Sequence, residues 1–148
     1  MNTPLVLQAF LLSIIAVLAT SILHYESVHR LDLLARRPAS RRHFLMLLII
    51  CGIIAVHLAD IFFYSLIYRF AIDVLHIGSI SSATITGPME MFYFAAETYS
   101  SLGQGDLLPT GAVRIISSIS SLNGLLLLAW SGSFLYALAH RPLAPDEQ

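Results

Sequence analysis

The sequence predicts an all-α membrane protein with three transmembrane helices and one shorter helical segment between the second and third. Three observations carry this. Over 148 residues the chain is 57% hydrophobic and only 11% charged, too apolar a balance for a water-soluble domain of this size. Three runs reach the roughly 20 apolar residues that a helix needs to cross a bilayer. A fourth apolar stretch, 89–102, falls short of that length and ends in a glycine-containing loop.

Residues 1–28 form the first span, with no charge over 5–23. Ala19-Thr20-Ser21 would suit a signal-peptide cleavage site. No Lys or Arg precedes the run, however, and it is longer than a signal core, so an uncleaved helix is expected. Residues 29–43 form a basic loop containing Arg30, Arg36, Arg37, Arg41 and Arg42. Positive charge favours the cytoplasmic side, which places the N-terminus outside and the C-terminus in the cytoplasm, with Arg69 and Arg114 counting against that assignment.

Residues 44–148 form the second unit: a helix over 44–69, a short helix and loop over 88–109, a helix over 112–140 and a short tail. Pro88 suits the first turn of the short helix, and Glu90 complements its dipole. Too short to span, this segment enters and leaves by one face. The single Cys51 excludes an intramolecular disulfide. The arginine-rich loop is short and juxtamembrane, which gives nucleic-acid binding no support.

The loop reads Glu97-Thr98-Tyr99-Ser100-Ser101-Leu102-Gly103-Gln104-Gly105-Asp106-Leu107-Leu108-Pro109. Two glycines flanking one residue allow alternating backbone conformations that a Cβ resists, so successive carbonyls can face one axis and replace an ion's hydration shell. The run resembles the selectivity-filter region of tetrameric potassium channels, most nearly the small bacterial type that reads E-T-A-T-T-V-G-Y-G-D-L-Y-P. Glu97, Thr98, Gly103, Gly105, Asp106, Leu107 and Pro109 match identically. Ser100 and Ser101 stand for two threonines, Leu102 for the valine and Gln104 for the tyrosine.

This resemblance implies a passive, potassium-conducting channel in a bacterial inner membrane, with the short segment as a re-entrant pore helix. One loop cannot encircle an ion, so the unit is expected to be a homotetramer with the lipid bilayer as its other partner. Ser101, Leu102, Gly103, Gln104 and Gly105 would form the filter, with K+ held at Ser101, Leu102, Gly103 and Gln104 and no cofactor beyond the permeant ion. Thr98, Tyr99 and Tyr93 would support it from behind. In the family an aromatic at the position of Gln104 braces the filter; here Tyr93 and Tyr99 are the candidate partners for the glutamine. That departure leaves open a non-selective cation channel, or a non-conducting regulatory subunit with a degenerate loop. The resemblance also implies that Glu97 and Asp106 share a proton behind the filter, because two carboxylates forced together do not both ionise. The alternative is that Asp106 faces outer solvent while Glu97 caps or solubilises the helix.

His57 and Asp60 lie three apart, on one face of an otherwise apolar span. An intramembrane acid is costly, so a role in interhelical fastening by a His-Asp hydrogen bond, or in gating or proton sensing, is expected. Two residues are too few for a metal, and no nucleophile accompanies them, so an enzyme is not expected. His24, His29, His43 and His140 group near the cytoplasmic face, either as interfacial residues without a further task or as a cluster that responds to internal pH. Asn123 and Gly124 fall midway along the last helix, where they would provide a hinge and a cavity-facing amide, or close helix packing. Serines 117, 118, 120, 121, 131 and 133 are divided between a cavity and helix contacts, and Trp130 and Tyr136 are packing or interface residues. No span carries the regularly spaced arginines of a voltage sensor.

Overall fold

A computed structural model describes residues 3–36, 42–82, 89–103 and 107–141. Three helices, α1 (Thr3–Ala35), α2 (Arg42–Arg69) and α4 (Val113–Ala139), are long and apolar enough to cross a membrane. A fourth, α3 (Glu90–Tyr99), is too short to do so and packs between α2 and α4. Large apolar side chains such as Leu18, Ile22, Leu58, Phe62, Leu122 and Leu126 are exposed, as expected where lipid is the solvent.

Small residues decide where the long helices meet. The buried positions of α1 are Ala9, Ser13, Ala16, Thr20, His24 and Val28, each three or four residues from the next and hence on one stripe. Such a stripe lets backbones approach closely where no hydrophobic effect drives helices together. Ser13 and Thr20 return their hydroxyls to Ala9 O and Ala16 O at 2.7 and 2.8 Å, so neither brings an unmet donor to the contact. The facing stripe of α4 includes Ile116, Ser120, Asn123, Gly124, Leu127 and Ser131.

Several boundaries differ from the sequence expectation. Residues 29–35, assigned to the basic loop, continue α1 as helix. That stretch contains neither Gly nor Pro, and Leu31 packs so closely on α2 that a Cβ at Gly52 would lie 2.8 Å from its Cδ2. Asp32 is thereby brought to Arg36 and Arg141, 2.8 Å from each. Beyond Arg69, α2 runs into a π-helical turn over Phe70–Val74, where Leu75 N–H reaches Phe70 O at 3.1 Å.

A two-stranded antiparallel ribbon was not foreseen. β1 (Ile80–Ser82) pairs with β2 (Leu107–Pro109) in the register Ile80 to Pro109, Ser81 to Leu108 and Ser82 to Leu107. Thr110 N–H to Ser79 O and Ala112 N–H to Ile77 O, both 2.8 Å, extend the clamp toward α4. Gly78 and Gly111 permit it: a Cβ on Gly78 would fall 2.3 Å from Thr110 O, and Gly111 has a φ of 58°. The ribbon ties the chain leaving α2 to the chain entering α4, so both ends of the α3 segment are anchored on one side.

Candidate functional site

α3 ends in a Schellman motif. Ser101, in the left-handed region with φ of 58°, donates its N–H to Thr98 O, and Leu102 N–H reaches back to Glu97 O, each at 3.1 Å. Glycine usually fills such a position, because a Cβ costs roughly 1 kcal/mol or more there. Ser101 Oγ meets Ser121 Oγ of α4 at 2.8 Å, which holds the cap in place. Gly103 returns to the left-handed region with φ of 53°, so the backbone alternates in handedness over 101–103. All three residues are exposed, Leu102 by 71%. Gln104, Gly105 and Asp106 lie outside the described residues, as does Pro88.

The supports expected behind the loop divide. Glu97 is buried, and its Oε1 has no hydrogen-bond partner among the described residues. Thr98 turns its hydroxyl back to Phe94 O, and Tyr93 is half-buried. Tyr99 is 1% exposed and directs its hydroxyl into the bundle, to His57 Nδ1 at 2.9 Å and Asp60 Oδ2 at 3.3 Å. Its hydroxyl is thus engaged by α2, while its expected partner Gln104 lies outside the described residues.

Beneath the loop the four helices close a ring of polar side chains. His24 Nδ1 lies 2.8 Å from Asp60 Oδ2, and its Nε2 lies 2.9 Å from Ser131 Oγ. The same Ser131 oxygen is 3.1 Å from His57 Nε2, and His57 Nδ1 leads through Tyr99 back to Asp60. α1, α2, α3 and α4 thus contribute one or two members each. His24, Asp60, Tyr99 and Ser131 are buried, whereas His57 is half-buried. Ligand atoms of His24, His57 and Asp60 lie within 4.8 Å of one another, a set that a divalent metal could draw on. Each of the four ring nitrogens already has a hydrogen-bond partner, however, so a metal would have to displace the ring.

Two expectations are corrected here. The His-Asp hydrogen bond expected to fasten the helices does join the acid to the first helix, but the histidine is His24 of α1 rather than His57, and sequence position had grouped His24 with the histidines near the cytoplasmic face. Nor does Asn123 face a cavity in this chain. Its Nδ2 donates to Thr20 Oγ1 at 2.9 Å and to Tyr64 Oη at 3.0 Å, joining α4 to α1 and α2. Gly124 is a packing residue: a Cβ there would lie 2.1 Å from Tyr99 O, and α4 runs past it as unbroken helix. Tyr68 Oη and Ser120 Oγ, 2.6 Å apart, complete this buried layer.

His24, Ser131, Thr20 and Tyr64 were not among the expected functional residues. For α1 the signal was present in the chain, since Ser13, Thr20 and His24 fall on the three-and-four stripe of small residues. For Ser131 it was not, because one serine among many on α4 is selected only by what stands opposite. Compared with family models, curated proteins and solved structures, the chain matches none.

Proposed function

We propose that the protein is a passive cation channel in which loops 101–105 from four subunits surround one axis, with potassium as the principal permeant ion. The carrying observation is the exposed, alternately handed Ser101–Gly103 backbone at the end of a short helix held between two spanning helices. Backbone carbonyls on such a loop present hard oxygen ligands suited to a weakly hydrated cation. The C-terminal end of α3 leads into the same loop, and the negative end of its dipole favours positive charge there. Among the described residues nothing covers Ser101–Gly103, which is what a segment completed by symmetry mates requires. On this reading the basic loop is cytoplasmic and the loop faces the outer side.

One observation favours weaker discrimination than the resemblance implies. Tyr99 commits its hydroxyl to His57 and Asp60, so it offers no free hydroxyl to a loop in which Gln104 stands for the family's aromatic. Reversal potentials in planar bilayers under opposed potassium and sodium gradients separate the two forms. A potential near the potassium equilibrium value supports selective conduction, and one near zero supports a non-selective pore. Absence of current from reconstituted, correctly inserted protein refutes the channel.

A further inference from the structure

The polar ring has two sides that differ in kind. His24 and His57 both turn Nε2 to one hydroxyl, Ser131 Oγ, at 2.9 and 3.1 Å. Both turn Nδ1 the other way, His24 to Asp60 Oδ2 at 2.8 Å and His57 to Tyr99 Oη at 2.9 Å, and those two oxygens are 3.3 Å apart. Two imidazole nitrogens, a carboxylate and a phenol hydroxyl therefore stand on one side of the ring. Around a divalent ion bound at about 2.0 to 2.1 Å, neighbouring tetrahedral ligands are about 3.3 to 3.4 Å apart. The successive contacts are already close to that spacing.

We propose that His24, His57 and Asp60 bind one divalent transition-metal ion of the zinc type, through Nδ1 of both histidines and the carboxylate, with the Tyr99 hydroxyl at the fourth position. On α2 alone His57 and Asp60 are too few, and α1 supplies the third ligand. One ligand atom from each of the three lies within 4.8 Å of the other two, so gathering them around an ion contracts the widest separation by at most about 1.5 Å. Turning an imidazole about its side-chain bonds covers that distance. Two imidazoles with one carboxylate suit zinc or cobalt, whereas calcium and magnesium take oxygen ligands.

Displacing the ring costs less than its contacts suggest, because the Ser131 half survives. Each neutral imidazole then carries its one hydrogen on Nε2 and donates it to Ser131 Oγ, whose two lone pairs can accept both. His24 moves its hydrogen from Nδ1 to Nε2 to do so. Ser131 thereby becomes the outer partner that fixes the orientation of both ligand rings. The acid gains most. Asp60 is buried within a span, its Oδ1 has no hydrogen-bond partner among the described residues, and the ion supplies both a counter-charge and a ligand position for that oxygen. His57, the half-buried member, is the edge by which an ion reaches the others.

The test uses full-length protein in micelles, freed of any purification tag and stripped with a chelator, then titrated with Zn2+ against a chromophoric competitor and with Co2+ as a spectroscopic probe. Expected are one ion per chain and, with Co2+, the visible bands of a four-coordinate nitrogen and oxygen site. Affinity should fall by at least about 100-fold in His24→Gln, His57→Gln and Asp60→Asn, more than loss of an outer partner causes, and stay unchanged in His29→Gln. A ring variant that unfolds leaves a measurement on the wild type. With labelled ring nitrogens, two of the six histidines should become Nε2–H tautomers with metal-bound Nδ1 when Zn2+ is added. A wild type that binds no ion overturns the proposal, as does coordination through Nε2. So does full affinity in a folded Asp60→Asn or His57→Gln, which would mean an adventitious ion only, held by other histidines. The site does not rest on ion conduction: a protein that takes up zinc here but passes no current would sink the channel reading and leave the metal site.

Discussion

Tyr99 and Leu102 stand three positions apart, yet the first is 1% exposed and the second 71%. Tyr99 is enclosed by groups from its own chain: His57 and Asp60 at its hydroxyl and Gly124 at its carbonyl. Leu102 belongs to a loop for which the described residues supply a cap and a tether through Ser121, but no cover. Among the described residues, one side of the Schellman motif is enclosed and the other is exposed. Substitutions on the buried side should therefore act on the fold, whereas those on the exposed side should act on what the loop binds or joins.

The largest effect is expected at the closest contact. Gly124→Val places side-chain carbons where a Cβ alone would be 2.1 Å from Tyr99 O, so α3 and α4 must part. Overpacking of this severity costs about 3 kcal/mol, read as unfolding free energy in mixed micelles. A variant indistinguishable from wild type would show that the two helices are not in contact. Next comes Asn123→Ala, which removes the donor shared by Thr20 and Tyr64. Interhelical hydrogen bonds in membranes contribute about 0.6 to 1.7 kcal/mol each, so a loss of that order is expected. Thr20→Val should then cost less in the Asn123→Ala background than alone, and equal costs in both would disprove the coupling.

On the exposed side, Gly103→Ala sharpens the contrast. Among the described residues no heavy atom lies within 4 Å of the position a Cβ would take, and the φ of 53° disfavours a side chain there. A folding penalty of about 1 kcal/mol is expected, with ion flux nevertheless abolished or its selectivity altered. Flux and selectivity equal to wild type would remove the loop from the function. The smallest effect is expected at Asp32→Ala, which releases Arg36 and Arg141 at the end of α1. Solvent-exposed pairs of this kind contribute about 0.2 to 1 kcal/mol, screened by salt, so the loss measured by thermal unfolding should shrink as ionic strength rises.

Local chemistry made part of this molecule legible. Long uncharged runs announce spanning helices because lipid offers the backbone no hydrogen bonds, and 112–140 agrees with α4 to within a residue at each end. The short segment between the spans was equally legible, although its helix occupies only Glu90–Tyr99. The end of α1 was misjudged because charge was read as loop. Arginines do not break a helix, and Leu31 keeps one face of this stretch packed on α2.

By itself the sequence determined the number of spans, the place of the short helix and the cost of an acid at position 60, because each follows from local composition against a fixed solvent. Tertiary structure alone decided which partner meets that acid. His24 and Tyr99 lie 36 and 39 positions from Asp60 in opposite directions, and nothing in the pattern of α2 selects them over its own His57. The selection is made by helix crossings, where small residues on α1 and α4 let backbones close to the distance at which one carboxylate, two imidazoles and two hydroxyls can form a single ring.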